Sequence, residues 1–275
     1  MSEPFSLFLF STDSEQIQRC IAAGVAGIIV DWERIGKRQR QVFADTQINM
    51  DTLEDLERVR AATRARVICR INGFHEATRE EVRMCKDSGA DEILLPMVRA
   101  LGEVEDVLAY ANGEIEVGIL VETLEAYDIA EALSALPLSR VYVGLNDLAI
   151  ARGTTNIFSA LFDGMLDSIR ARVSVPFGFA GLTLPDRGSP IPCRLLIGEM
   201  SRLGSQFSFL RRSFQRDIRE HDPALEIPHI LAALAEARAR SPEEAQRDRA
   251  ALLEAIRTQA RETLLGSGRR EQSDD

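Results

Sequence analysis

The chain has 275 residues, 45% of them hydrophobic and 28% charged, with 33 Lys+Arg against 43 Asp+Glu and a formal net charge of −10. That length supports a large core without disulfides or structural metal, and the acidic balance excludes general nucleic-acid binding, which needs a basic footprint, while suiting a divalent cation. No apolar run approaches the ~18 residues of a membrane span, and Cys20, Cys69, Cys85 and Cys193 show no CxxC or zinc-like spacing, so they read as buried free thiols of a reducing, cytoplasmic protein.

In chain order, eight short apolar, β-rich runs occur at 5–10, 27–32, 66–72, 92–96, 116–122, 140–147, 175–181 and 206–212. The first is too short, and lacks the preceding Lys or Arg, to read as a signal sequence. The runs are continuous rather than alternating, as strands covered on both faces require. Helical patterns lie between them at 14–23, 51–62, 76–88, 102–111, 123–136, 157–173 and 192–203, with Ser11 to Asp13 as cap candidates for the first, and Gly24, Gly89 and Gly204 just past helix ends. Eight βα units in series predict a parallel sheet closed into a (β/α)8 TIM barrel over 1–240. An open doubly wound sheet is the alternative, but its Gly-rich first turn is missing. Further helices are predicted at 223–240 and 242–265, with 266–275 a polar, frayed tail; 241–275 then either covers the barrel bottom or packs on a neighbouring subunit, and a homo-oligomer is expected.

In this fold the chemistry sits at the C-terminal ends of the strands. The polar residues there are Asp31, Glu33, Arg70, Asn72, Glu122, Asn146, Asp147, Arg211 and Arg212, with His75 just beyond strand 3. Glu122 and Asp147 end adjacent strands, where two carboxylates repel unless a cation lies between them; oxygen donors with open positions suit Mg2+ or Mn2+. The competing reading is that one of the pair caps a helix or meets an arginine. Arg70, after apolar Val67, Ile68 and Cys69, demands an anionic partner: a structural carboxylate such as Glu33, or an oxygen of the substrate. Trp32 reads as packing or pocket wall, His221 and His229 as structural, and His75 as a rim acid or base.

Five segments at successive strands resemble the HpcH/HpaI aldolase and citrate lyase beta-subunit family. They are Gly24-Val25-Ala26-Gly27-Ile28-Ile29-Val30-Asp31-Trp32-Glu33, Cys69-Arg70-Ile71-Asn72, the Gly89–Val98 stretch beginning Gly89-Ala90-Asp91, Val121-Glu122-Thr123, and Gly144-Leu145-Asn146-Asp147-Leu148 with Gly153 behind it. The resemblance implies a metal-dependent, class II aldolase-type carbon–carbon lyase acting on a small 2-oxo acid through a pyruvate-type enolate, by aldol, retro-aldol or decarboxylation chemistry. It implies Mg2+ or Mn2+ on Glu122 and Asp147, Arg70 on the 2-oxo acid, Glu33 holding water or orienting Arg70, and backbone amides around Gly89–Pro96 seating the carboxylate. The expected substrate contacts are thus Arg70, Arg34, Pro96 and Arg212. Arg34 departs from the His of the aldolase branch and the Asp of the citrate lyase branch, and Leu145 replaces a Pro. These departures affect proton transfer rather than the metal site, and Arg34 is suited to a further substrate anion. Two other readings stand beside this one: a CoA-thioester lyase using Arg211, Arg212 and Arg216, and a catalytically silent metal- or ligand-binding barrel. The 181–192 stretch, after strand 7, is expected to select the substrate.

Overall fold

All eight apolar runs form strands: β1 (Ser6–Phe10), β2 (Gly27–Asp31), β3 (Arg66–Arg70), β4 (Glu92–Leu95), β5 (Glu116–Val121), β6 (Arg140–Val143), β7 (Phe177–Leu182) and β8 (Phe207–Leu210). Each pairs in parallel with the next and β8 with β1, closing the barrel. This computed structural model describes residues 4–35 and 51–270, with side chains to 261. Around the barrel lie α1 (Ser14–Ala22), α2 (Leu53–Ala62), α3 (Thr78–Asp87), α4 (Leu101–Ala111), α5 (Leu124–Asp128), α6 (Ala130–Ser134), α7 (Leu145–Ala151), α8 (Ser159–Phe162), α9 (Met165–Arg172), α10 (Cys193–Arg202), α11 (Arg212–Asp217), α12 (Pro223–Arg238) and α13 (Pro242–Arg270). Of the cap candidates for α1, Asp13 is the one used: its carboxylate accepts from the Gln16 amide at 2.7 Å.

The structure differs from the sequence expectation in four places, the first being that the helix expected at 123–136 is two short helices, Leu124–Asp128 and Ala130–Ser134, parted at Ile129. Strand 6 stops at Val143, and 145–151 is helical, so Asp147 stands in the first turn of α7 rather than at a strand end. An acidic residue there meets the positive end of the helix dipole. The helix expected at 157–173 is two helices, because Gly164 adopts φ 82° between them. Finally, α12 fills the eighth outer position, between α10 and α1, and α13 lies outside α10 and α8. Leu252 and Ile256 of α13 are buried, and Arg249 reaches the Leu161 carbonyl at 3.2 Å and Asp167 at 3.1 Å and pairs with Glu199. The last helix therefore rests on the outer ring of its own chain. The helix extends to Arg270; the last five residues of the expected tail, 271–275, lie outside the described residues.

Strand residues of one parity face outward into the shell of core between sheet and helices. Those of the other parity fill the barrel: Phe8, Phe10, Ile29, Ile68, Leu94, Leu120, Tyr142, Phe207 and Phe209 form a second cluster, with Tyr142 stacked on Phe209 at 3.9 Å. Its lower end is closed by a buried ion pair. Arg140 gives Nε and Nη2 to Glu92 at 2.6 and 2.7 Å, and its guanidinium lies over Phe8 at 4.4 Å and Phe207 at 4.9 Å. Ser139 and Arg66 also donate to Glu92, so the buried carboxylate is fully engaged. Gly118 makes the space: a Cβ there would stand 2.8 Å from Arg140 Cγ and 2.9 Å from Glu92 Oε1. This end of a (β/α)8 barrel serves stability, and Glu92–Arg140 is its clasp. All four cysteines are buried, as expected; burial pushes the Cys20 and Cys193 thiols up to about 11, which leaves them as unreactive packing groups.

Candidate active site at the barrel mouth

The inward parity carries on past the aromatic layer to the rim, where it presents Asp31 on β2, Arg70 on β3, Glu122 just beyond β5 and Arg211 just beyond β8. Asp31 and Arg70 are register partners on paired strands. Asp31 accepts from Arg70 Nε at 2.8 Å and Nη2 at 2.7 Å, a bidentate bond between two buried groups. Glu33, also buried, faces Nη1 at 3.2 Å. Burial works against the charge on Arg70, but Asp31 and then Glu33 outweigh it and hold the guanidinium protonated well above its ordinary range. Sequence reasoning offered Glu33 as the structural partner; the principal one is Asp31, and Glu33 is the second. A guanidinium has five N–H donors, so after these contacts at least one remains for a ligand oxygen. Trp32 donates Nε1–H to the Thr52 carbonyl at 2.9 Å and packs in the core.

Glu122 follows β5, and the local chain is arranged around its carboxylate. Buried Pro96 precedes Met97, which adopts φ 56°, a conformation rare outside glycine. In it the Met97 amide donates to Glu122 Oε1 at 2.9 Å. Pro96, expected to touch substrate, thus stands next to the amide that fixes Glu122. On the opposite side a Cβ built on Gly144 would overlap Glu122 Oε2. Thr123, next in sequence, caps α5: its hydroxyl accepts from the Ala126 amide and donates to the Val98 carbonyl. Gly144→Ala is expected to leave the fold intact while displacing Glu122 and weakening divalent-cation binding by tenfold or more, of the order seen when ligand-orienting groups are lost. Titration calorimetry with Mg2+ or Mn2+ checks it; unchanged affinity with unchanged melting would refute it.

The electrostatics mark Glu122 as the unsettled group. Burial first, then the charges of Asp147 and Glu33, push its carboxyl up to about 8, against the opposing pull of Arg70 and the Met97 amide. Asp147 is half-buried in α7, and beside it Asn146 carries a buried Nδ2 with no hydrogen-bond partner among the described residues. Crowded carboxylates and an orphaned amide suit a hard cation with its water or substrate oxygens. No group of three or more His, Cys, Asp or Glu able to hold a metal occurs among the described residues. The donor set fits Mg2+ better than a metal needing a full protein cage, since Mg2+ is commonly held by one or two carboxylates plus water or substrate.

A pH dependence follows. The folded state binds the Glu122 proton more tightly than the unfolded state, so its contribution to stability is complete below the ordinary value of 4.5 and is lost as pH rises towards about 8. In chelator, the melting temperature of the wild type should fall across that window relative to Glu122→Gln, and Mg2+ should offset the fall. Parallel curves for the two proteins would show that Glu122 is not the titrating group.

His75 is placed in a capping network: Nδ1 is 3.1 Å from the Gly73 carbonyl and from Thr78 Oγ1, and Nε2 is 3.7 Å from Glu81. Glu81 holds Asn72 through its side-chain and backbone nitrogens at 2.6 and 3.1 Å, and Asn72 accepts the amides of Arg34 and Ile35 at 2.8 and 2.9 Å. His75 therefore joins the support of the loop that carries Glu33 and Arg34, and the structure gives it no contact with Arg70 or Glu122 among the described residues. The Arg34 side chain is exposed and donates to the Asp51 carbonyl at 2.6 Å. Arg212 opens α11 and, with Arg211, lines a cleft of about 680 Å3 between the β1 and β8 ends of the mouth. The 181–192 stretch is tied to α11 by Thr183 Oγ1, which donates to Asp217 at 2.6 Å.

A closed parallel barrel with buried, unequally partnered charges at its C-terminal mouth and a satisfied ion pair at its base defines the class: a TIM barrel with a candidate site at the usual end. No protein-family model matches the sequence, and no curated protein matches it. Solved structures do. The chain is similar to an HpcH/HpaI aldolase/citrate lyase family protein from Burkholderia cenocepacia J2315 (15% identity, 86% of this chain and 95% of that one, TM-score 0.57). It is also similar to RipC from Yersinia pestis (14% identity, 87% and 97%, TM-score 0.55) and to the citrate synthase SbnG (18%, 85% and 93%, TM-score 0.53). These likenesses establish the fold, and the first carries the family name to which the sequence motifs pointed.

Proposed function

We propose that the chain is a divalent-metal-dependent carbon–carbon lyase of the aldolase type, acting on a small 2-oxo acid through a pyruvate-type enolate. The observation that carries this reading is Glu122: a buried carboxylate held by a backbone amide, given room by a glycine, and left with excess negative charge around it. Such an arrangement is costly for a purely structural group and is what a cation site requires. Glu122 and Asp147 would hold the cation, with Asn146 beside them; when bound, it supplies Lewis acidity at a keto oxygen. Arg70, clamped by Asp31 and Glu33, keeps a fixed positive charge at the same mouth, and needs no reorganisation as negative charge develops on a substrate oxygen. Glu33 restrains the guanidinium and would hold water near it.

The test is exchange of pyruvate methyl protons with deuterated water, followed by NMR with and without Mg2+ or Mn2+. Cation-dependent exchange is expected. Its absence with every divalent cation tried, under conditions where the cations bind, would favour the silent binding barrel.

A further inference from the structure

β2 and β3 are in register up to Asp31 and Arg70. The Trp32 amide adds one more rung, donating to the Arg70 carbonyl at 2.8 Å. Glu33 follows that rung, so strand pairing does not set where its carboxylate stands. Asn72 holds the matching place on the neighbouring chain, two residues past the end of β3. Its side-chain Oδ1 accepts the amides of Arg34 and Ile35 at 2.8 and 2.9 Å. It thereby takes the part of a further strand carbonyl for the turn that carries Glu33.

Asn72 is buried, and it is held from behind. Glu81, on α3, accepts its Nδ2–H at 2.6 Å through Oε1 and its backbone N–H at 3.1 Å through Oε2. The amide therefore has one orientation: turned over, it would set its oxygen against a carboxylate and its nitrogen against two backbone N–H groups. That orientation carries the placement of α3 across to the turn. The turn ends on the Glu33 carboxylate, 3.2 Å from Arg70 Nη1. Arg70 is thus held from two sides, by Asp31 through strand register and by Glu33 through Asn72.

We propose that Asn72, oriented by Glu81, is a positioning residue that sets Glu33 against Arg70 and so fixes the N–H that Arg70 offers to a substrate oxygen. The role at Arg70 rests on the 2-oxo acid reading given above. The polarity of the Asn72–Glu81 pair can be inverted, and this supplies the test. Asn72→Asp sets two carboxylates face to face. Glu81→Gln leaves one acceptor oxygen for two N–H donors. With both substitutions every bond has a partner again: the new carboxylate accepts the two turn amides and the new side-chain amide, whose oxygen accepts the backbone N–H of position 72. His75 Nε2, 3.7 Å from Glu81, loses its carboxylate in the double variant as in Glu81→Gln, so recovery in the double variant assigns the effect to the Asn72 link.

Two readouts are taken. Oxalate, a planar two-carbon dianion shaped like the pyruvate enolate, is titrated calorimetrically in Mg2+. The emission of Trp32, the only tryptophan of the chain, lying between Asp31 and Glu33, reports the turn itself. Each single variant is expected to bind oxalate about tenfold to a hundredfold more weakly, the scale of a misplaced positioning group, and to shift the Trp32 emission. The double variant should recover the wild-type emission and most of the affinity. Asn72→Ala, which adds no charge, repeats the single-variant test where Asn72→Asp does not fold. Oxalate affinity unchanged in the single variants overturns the proposal, whatever the emission does; so does a double variant that binds no better than the weaker single one or does not fold. If the wild type binds Mg2+ but no oxalate, the 2-oxo acid reading has failed, and the emission alone decides whether Asn72 positions the turn: shifted single variants with a restored double variant support it, and unshifted single variants overturn it.

Discussion

Glu122→Gln is expected to reduce cation-dependent exchange of pyruvate protons by a factor on the order of a thousand or more, because the Lewis acid it would help hold contributes several kcal/mol to the barrier. The substitution keeps shape and leaves an amide oxygen for the Met97 N–H, so the local fold has no reason to change. It also removes a carboxyl whose ionisation burial, Asp147 and Glu33 all oppose, so that the folded site has to hold it largely protonated at neutral pH. The cation-free variant should therefore be as stable as the wild type at neutral pH, or more stable, while its affinity for Mg2+ collapses. Activity and stability moving in opposite directions is the signature of a functional group rather than a packing one. Asp147→Asn should follow the same pattern. Chemical denaturation in chelator, set against calorimetric titration of the cation, reads both quantities; a destabilised Glu122→Gln protein with unchanged cation affinity would sink the assignment.

Arg70 carries the second large effect, with the opposite stability outcome. Arg70→Ala leaves Asp31 and Glu33 buried without their counter-ion and should cost about 3–5 kcal/mol, the usual range for breaking a buried pair from one side. Arg70→Lys keeps the charge but not the two-pronged bond to Asp31, and should fall between. Replacing Asp31 along with Arg70, as Asp31→Leu with Arg70→Met, should recover only the part of the loss that belongs to Asp31, since the buried Glu33 still loses its guanidinium. None of these variants should support exchange. Urea midpoints at constant slope measure the series. If Arg70→Ala melts like the wild type, the burial of Asp31 and Glu33 does not depend on Arg70.

Much of this was readable in the residues. The eight strands stand out as continuous apolar runs, and their C-terminal ends locate Glu122 and Arg70 at the barrel mouth. Other features are legible to different degrees, for distinct physical reasons. Gly144-Leu145-Asn146-Asp147-Leu148 has no periodicity that separates a strand end from a helix start, so the sequence reads Asp147 as a strand end where the structure has the first turn of a helix. The Asp31–Arg70 bond was accessible in principle: aligning the ends of β2 and β3 puts the two opposite one another. Strand parity likewise puts Arg211 on the inward series with Phe207 and Phe209, where position alone names both Arg211 and Arg212. Nothing in the local sequence signals that Met97 turns into a left-handed conformation; the Glu122 carboxylate takes its amide there, and only the tertiary structure shows it.

The clasp at the base, Glu92 with Arg140, has a consequence for how freely this protein can change. It keeps the barrel shut without help from the opposite end, because its charges are fully satisfied by Ser139 and Arg66 close by. Alterations at Arg34, Arg211 or Arg212 therefore do not threaten closure. Those three positions behave as exchangeable fittings on a self-sufficient frame, and selection, or a protein engineer, can rewrite what the mouth accepts without renegotiating the fold.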